Sequence, residues 1–129
     1  MIQTGITCKK KITVTPEMTA AAMGSGALEV LATPSMIALM EGTAQEAVQS
    51  LLEDGQGTVG TRIDVRHLAA TPVGMDVTCT AEVTEVDRRR IVFTVKAQDE
   101  KEVIGEGTHE RFVIDNEKFF AKCRQKLAK

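Results

Sequence analysis

Tryptophan and tyrosine are absent from the 129 residues, and four phenylalanines supply all the aromatic rings. Phe93, Phe112, Phe119 and Phe120 alone offer no stacking platform for unpaired bases, which argues against single-stranded nucleic acid as a ligand. Charge of one sign is also scarce. Sixteen basic residues against 18 acidic ones leave a net charge of −2, so no polyanion is favoured. Cysteine occurs three times. Cys8, Cys79 and Cys123 are odd in number and lack paired spacing, so neither a disulfide framework nor a metal site is expected, and they read as reduced packing thiols. No run approaches the roughly 18 uninterrupted apolar residues of a membrane span. The start, Met1-Ile2-Gln3-Thr4-Gly5, has neither the basic nor the apolar region of a secretory signal. The expectation is a cytoplasmic protein that engages no membrane and no nucleic acid.

What is present, 43% hydrophobic and 26% charged residues, is the composition of a globular chain. Residues 1–129 read as a single domain, able to bury about two thirds of its unfolded surface. Residues 6–14 alternate loosely at period two, with Lys9 and Lys11 outward, as an edge strand does. Thr15-Pro16 opens a short helix over 18–23, closed by Gly24-Ser25-Gly26, and 27–32 reads as a short strand. A stronger signal follows: Thr33 as N-cap with Pro34 at the first helical position, for a helix running to about residue 53 and stopped by Asp54-Gly55. Strand character then covers 58–70, 75–86, 90–98 and 102–114, separated by polar turns. A last helix over 115–127 carries Phe119, Phe120, Cys123 and Leu127 at helical spacing and closes the chain. One long helix followed by consecutive antiparallel strands is an α+β pattern in which a sheet wraps a helix, and such an open sheet often completes its core in a dimer.

Within the long helix, Met36-Ile37-Ala38-Leu39-Met40 is apolar on every face, which predicts burial on nearly all sides. Glu41 interrupts this run and projects from the stripe of Ile37, Ala44 and Val48, where an unpaired charge is costly. It is therefore either a plain buried ion pair or a general base or nucleophile tuned by burial. Alternation over Val59, Thr61, Ile63, Val65 and His67 turns His67 inward, where it and Glu41 would supply each other's partner. Thr33 is fully explained as an N-cap, but a helix start also offers N–H groups to an acyl oxygen.

Three further motifs carry less. The G-x-G-x-x-G of residues 55–60 follows a helix and precedes a strand, the reverse of a dinucleotide site. His109 with Glu110 and Arg111 reads as a strand network, since two histidines 42 positions apart give no ligand spacing. Arg88-Arg89-Arg90 reads as a solvated turn, with a phosphate site as the minority reading.

Taken together, Thr33, Met36, Leu39-Met40-Glu41, Gly60-Thr61, His67, Ala69-Ala70-Thr71-Pro72, Gly74, Ile104-Gly105, Gly107 to Arg111 and Glu117-Lys118-Phe119 resemble a hotdog-fold thioesterase. More narrowly, they resemble the fluoroacetyl-CoA thioesterase family over about residues 32–126. The resemblance implies an antiparallel sheet of about five strands around a long central helix, in a homodimer or a higher oligomer. It implies hydrolysis of a short or small acyl-CoA, with coenzyme A entering as part of the substrate and no other cofactor. Thr33, Glu41 and His67 fall on the family's catalytic set and Gly60 on its substrate site. One departure stands out: phenylalanines form a lid before the family's catalytic threonine, whereas this chain has Met23-Gly24-Ser25-Gly26-Ala27. That change implies a more open site and removes the basis for fluoroacetyl selectivity. The competing expectations are a noncatalytic acyl-CoA or small-ligand binder on the same scaffold, and a dehydratase, which the order of Glu41 and His67 disfavours.

Overall fold

Proline in a helix's first turn lacks only an N–H that the helix would not use, and Pro34 stands there in α2 (Thr33–Gln49). In the computed structural model, which describes residues 1–128, α2 is the longest helix. Ala32 is its N-cap, and no side chain caps the helix start. Thr33 is thus helical rather than the cap expected of it, and its hydroxyl is left for another partner. The helix ends four residues earlier than expected, because Leu51 N–H turns back to the Val48 carbonyl at 3.0 Å and Gly55 then takes a left-handed turn at φ 84°.

Five strands flank it: β1 (Thr7–Thr13), β2 (Gln56–His67), β3 (Asp76–Asp87), β4 (Arg90–Gln98) and β5 (Val103–Asp115). They form one antiparallel sheet in the order β1-β3-β4-β5-β2. The two strands joined by α2 are the two edges, so the helix must cross the whole sheet, and it touches all five strands. Alternation on β3 up to its bulge after Val83, and along β4, buries Val77, Val83, Ile91, Phe93 and Val95 against Met36, Met40 and Val48 of α2. Each such side chain contributes about 1.5–3 kcal/mol when fully buried.

Several expectations are corrected. The helix is two-sided: Met36, Leu39 and Met40 are buried, but Ile37 is only half-buried and Ala38 is exposed. Residues 27–32 form no strand; only the isolated bridges Thr19↔Leu31 and Val30↔Pro72 hold them. Before them, Thr19 caps the one-turn helix α1 (Ala20–Met23), which ends at left-handed Gly24. The C-terminal helix α3 (Asn116–Arg124), capped by Asp115, buries none of its residues. Phe119, Phe120 and Leu127 are exposed, as is Cys123, because α2 already fills the apolar face of the sheet. Of the three thiols only Cys79 is buried in the core, and all three are free. Arg88 adopts the left-handed turn between β3 and β4 at φ 58°, while Arg90 is paired with Glu85 and Glu110. Among the described residues, no helix is long and apolar enough to cross a membrane.

Candidate active site

The inner face of the sheet changes character at β5. Where β3 and β4 present apolar side chains, β5 presents Gly105, Gly107, His109 and Arg111 in succession. The two glycines admit close neighbours: the Met36 sulfur stands where a Cβ of Gly105 would be, and the Asp64 carbonyl and Val65 where that of Gly107 would be. The next two positions are filled by an imidazole 1% exposed and a guanidinium residue 7% exposed. Arg111 donates from Nε to Thr58 Oγ1 at 2.7 Å, from Nη2 to the Thr58 carbonyl at 2.9 Å and from Nη1 to His109 Nε2 at 3.1 Å. His109 Nδ1 lies 2.7 Å from the carbonyl of Arg62, and its ring stacks on Phe93 with centroids 6.2 Å apart. Burial, together with the Arg111 charge, holds the His109 imidazole below the ordinary histidine value against the pull of the Arg62 carbonyl and of Glu41. The expected network of His109, Glu110 and Arg111 is therefore split, with Glu110 on the other face holding Arg90 and Thr61.

A bulge on β2 decides which of its residues join this face. The pairing steps from Gly60↔Arg111 directly to Arg62↔Glu110, leaving Thr61 unpaired. An extra residue in a strand reverses the side-chain parity beyond it. Ile63, Val65 and His67 therefore share the inner face with Thr58 and Gly60, not with Val59 and Thr61 as unbroken alternation requires. Thr61 instead donates to the Glu110 carboxylate at 2.5 Å on the outer face.

His67, the last residue of β2, meets the first turn of α2, and Thr33 Oγ1 lies 2.7 Å from His67 Nδ1. Burial pushes this imidazole too below its ordinary value, opposed by the backbone at Ala69, so it is neutral near pH 7. Among the described residues, the buried His67 Nε2 has no hydrogen-bond partner. Thr33 and His67 open onto a concavity of about 350 Å³ lined by Ala20, Ser25, Val30, Leu31, Leu68, Ala69 and Ala70. No phenylalanine is among these lining residues, and the segment after α1 contributes Ser25.

Glu41 stands two helical turns beyond Thr33, half-buried. It makes no hydrogen bond with His67, against expectation; its neighbours are across the sheet. A Cβ placed on Gly60 would lie 2.8 Å from Glu41 Oε2, 3.2 Å from His109 Cε1 and 3.5 Å from Arg111 Nη1. Gly60 thus keeps open the meeting point of the helix carboxylate with the two polar residues of β5. Thr33 and His67 form one bonded pair, and Glu41 and Gly60 a second group with His109 and Arg111. Sequence reasoning missed that Arg111 and His109 border the same space beside Gly60 as Glu41. The alternation Gly105, Gly107, His109, Arg111, polar where a core strand is apolar, is the signal that carries it. Among the described residues, no group of three His, Cys, Asp or Glu side chains is placed to hold a metal.

Comparison with known proteins places the fold and the family. The family model for the fluoroacetyl-CoA-specific thioesterase matches residues 14–117. The fluoroacetyl-CoA thioesterase of Streptantibioticus cattleyicolor is 52% identical over 98 residues, which make up 76% of this chain and 70% of that protein. The solved structure of the fluoroacetyl-CoA thioesterase FlK superposes with a TM-score of 0.93 at 42% identity, covering 98% of each chain. A thioesterase superfamily member from Thermus thermophilus superposes with a TM-score of 0.89 at 30% identity, covering 97% of this chain and 93% of that one. The α+β sheet around one long helix is thus the hotdog fold. Matched over most of its length in sequence and over nearly all of it in structure, the chain belongs to the fluoroacetyl-CoA-specific thioesterase family.

Proposed function

We propose that this protein hydrolyses a short or small acyl-CoA thioester to the free acid and CoA, using Thr33, Glu41 and His67. The observation that carries the reading is the bonded Thr33–His67 pair at the mouth of a concavity, with the Glu41 carboxylate two turns along the same helix. Hydrolysis breaks the C–S bond, forms a C–O bond and returns a proton to the departing thiolate. Glu41 carries the nucleophilic step, by direct attack or by taking a proton from water. The Thr33 hydroxyl and the N–H groups of the α2 start face the acyl oxygen as it becomes negative. His67, neutral and with Nε2 free of protein partners, handles the proton of the leaving group. Gly60 leaves space beside Glu41 for the acyl group.

The lining of small and aliphatic residues around Thr33 and His67 supports an acyl group not restricted to fluoroacetyl. The reaction draws on no cofactor beyond the substrate's own CoA. We further read the protein as a cytoplasmic homodimer, able to assemble further: β2 is an edge strand, and the half-exposed side of α2 lies next to it. Light scattering of the purified protein tests the assembly.

Free-thiol release from acetyl-, fluoroacetyl-, propionyl-, isobutyryl- and benzoyl-CoA tests the function, with Glu41→Gln and His67→Ala beside the unaltered protein. Release that is lost in both folded variants is the expected result. Ligand retention without thiol release would replace the hydrolase with a binding protein, and loss of water from added 3-hydroxybutyryl-CoA, giving an enoyl product with its thioester intact, would point to a dehydratase.

A further inference from the structure

The bonding of His109 determines its protonation without reference to any titration. A backbone carbonyl only accepts, so the 2.7 Å contact between His109 Nδ1 and the Arg62 carbonyl requires a proton on Nδ1. A guanidinium only donates, so the 3.1 Å contact from Arg111 Nη1 requires a bare Nε2. Both ends are fixed and the ring is neutral. The groups facing it are consistent with this: Phe93 stacks on it, Arg111 lies beside it, Glu41 stands across Gly60, and Glu110 points to the other face.

The choice of residue is unusual on physical grounds. A guanidinium buried to 7% exposure is normally matched by a carboxylate. Here its bonded partners are Thr58 Oγ1, the Thr58 carbonyl and His109 Nε2, all uncharged, and it forms no ion pair among the described residues. The charge is held in place by neutral acceptors, which fix its direction without cancelling it. Across the Cβ-free space of Gly60, the group opposite is the carboxylate of Glu41. A carboxylate at position 109 would bond the guanidinium as well or better, but it would cancel that charge and repel Glu41.

We propose that His109 is a positioning residue of the hydrolytic site, which as the neutral Nδ1–H tautomer orients the uncancelled charge of Arg111 toward Glu41. This rests on the reading of Glu41 as catalytic. His109 touches no reacting atom in this scheme; its effect passes through Arg111.

Two measurements test it. Long-range proton–nitrogen correlation spectra of the unaltered protein should show His109 with a protonated Nδ1 and a bare Nε2, unchanged from about pH 8 down to about pH 6. An imidazolium, or a proton on Nε2, would overturn the proposal whether or not any variant folds. The second is a pair of variants of nearly equal size. In His109→Gln an amide still donates to Arg62 and accepts from Arg111, so kcat on the fastest substrate of the acyl-CoA panel should stay within about fivefold. In His109→Glu the acceptor carries a charge, and kcat should fall about 100-fold with KM within about threefold. Equal kcat in the two folded variants, or a loss confined to KM, would defeat the positioning role. The outcomes separate the two readings: an unaltered protein that releases no thiol removes the hydrolase itself, whereas an active enzyme indifferent to His109→Glu removes only this inference.

Discussion

The two halves of the sheet are built by different rules. On β3 and β4 the inward residues Val77, Cys79, Ala81, Val83, Ile91, Phe93, Val95 and Ala97 are at most 2% exposed, while Val86, beyond the β3 bulge, is exposed, and nothing on that face needs a partner. On β5 and β2 the same face carries three glycines, two histidines and an arginine, and every polar group there must be matched or face a ligand. The first half supplies burial energy; the second relaxes the rules of a stable core, and the candidate chemistry stands there. The division predicts that substitutions on one side change stability without changing turnover, and the reverse on the other.

The largest effects fall on the residues that most sharply represent each side. Glu41→Gln keeps the shape of a half-buried side chain and should lower kcat by about 1,000-fold with little change in Tm. Ile91→Ala, at 0% exposure in β4, should lose about 2–5 kcal/mol of stability while kcat per folded molecule holds. Thermal melts and thiol release on both proteins check this together. A stable but slow Ile91→Ala enzyme would break the comparison outright.

The glycines offer the next test, since they belong to one half and differ in purpose. A methyl on Gly60 would meet Glu41 Oε2 at 2.8 Å and His109 Cε1 at 3.2 Å, so Gly60→Ala should cut kcat by about 10- to 100-fold through displacement of the carboxylate. A methyl on Gly105 would meet the Met36 sulfur and, at 3.0 Å, the Arg66 carbonyl, with Glu41 not among its neighbours. Gly105→Ala should therefore cost about 1–3 kcal/mol in a denaturant titration. Interchanged outcomes would mean that the site extends along β5 to Gly105.

How far the sequence revealed these halves follows from periodicity. The strands β1, β3 and β4 and the start of α2 were legible within a residue or two, because alternation, broken in β3 only at the bulge near its end, and a Thr-Pro start are local signals; the end of α2 was placed four residues too far. The family resemblance groups Thr33, Glu41 and His67 as one set, and of these the structure brings only Thr33 and His67 into direct contact. The bulge at Thr61 was not legible, because an inserted residue leaves no compositional mark and shifts every inward assignment before it by one. Thr33 looked like a cap because threonine caps by default; only the tertiary approach of His67 diverts its hydroxyl. Residues 115–127 looked like a packing helix because periodicity reports an apolar stripe, not whether any surface remains for it to cover.

Acid should separate the halves more gently. Both imidazoles belong to the β5–β2 side and both lie below the ordinary value of 6.5 through burial. The unfolded chain therefore takes up protons through about pH 6.5 that the folded chain refuses, so this stabilisation is complete above that pH and is lost on acidification. The carboxylates held low, Asp76, Asp99 and Glu110 among them, lose their contribution in a separate, more acidic window. Tm should decline from about pH 7.5 to about pH 5.5, and His109→Gln should flatten the slope. An unchanged slope would assign the decline to His67 alone.

The smallest effect probes whether charge on the apolar side reaches the site. Lys10 on β1 meets Glu46 of α2 at 3.4 Å, with the two side chains 41% and 50% exposed. A screened pair of this kind contributes about 0.2–1 kcal/mol, so Lys10→Gln should barely move Tm, and a double-mutant cycle with Glu46→Gln should return a coupling of about that size. The kinetic result matters more than the energy. Lys10 Nζ lies 3.8 Å from where a Cβ of Gly42 would be, next in sequence to Glu41, so distance alone does not insulate the carboxylate. What separates them is direction: Glu41 looks across Gly60 toward β5, whereas Lys10 sits over the opposite edge of the helix, in water that screens its charge. Unchanged kcat at low and moderate salt is the expected result. A rate that falls with Lys10→Gln, and does so more at low salt, would show that the edge lysine also bears on Glu41 and that the boundary between the halves runs through α2 rather than between β4 and β5.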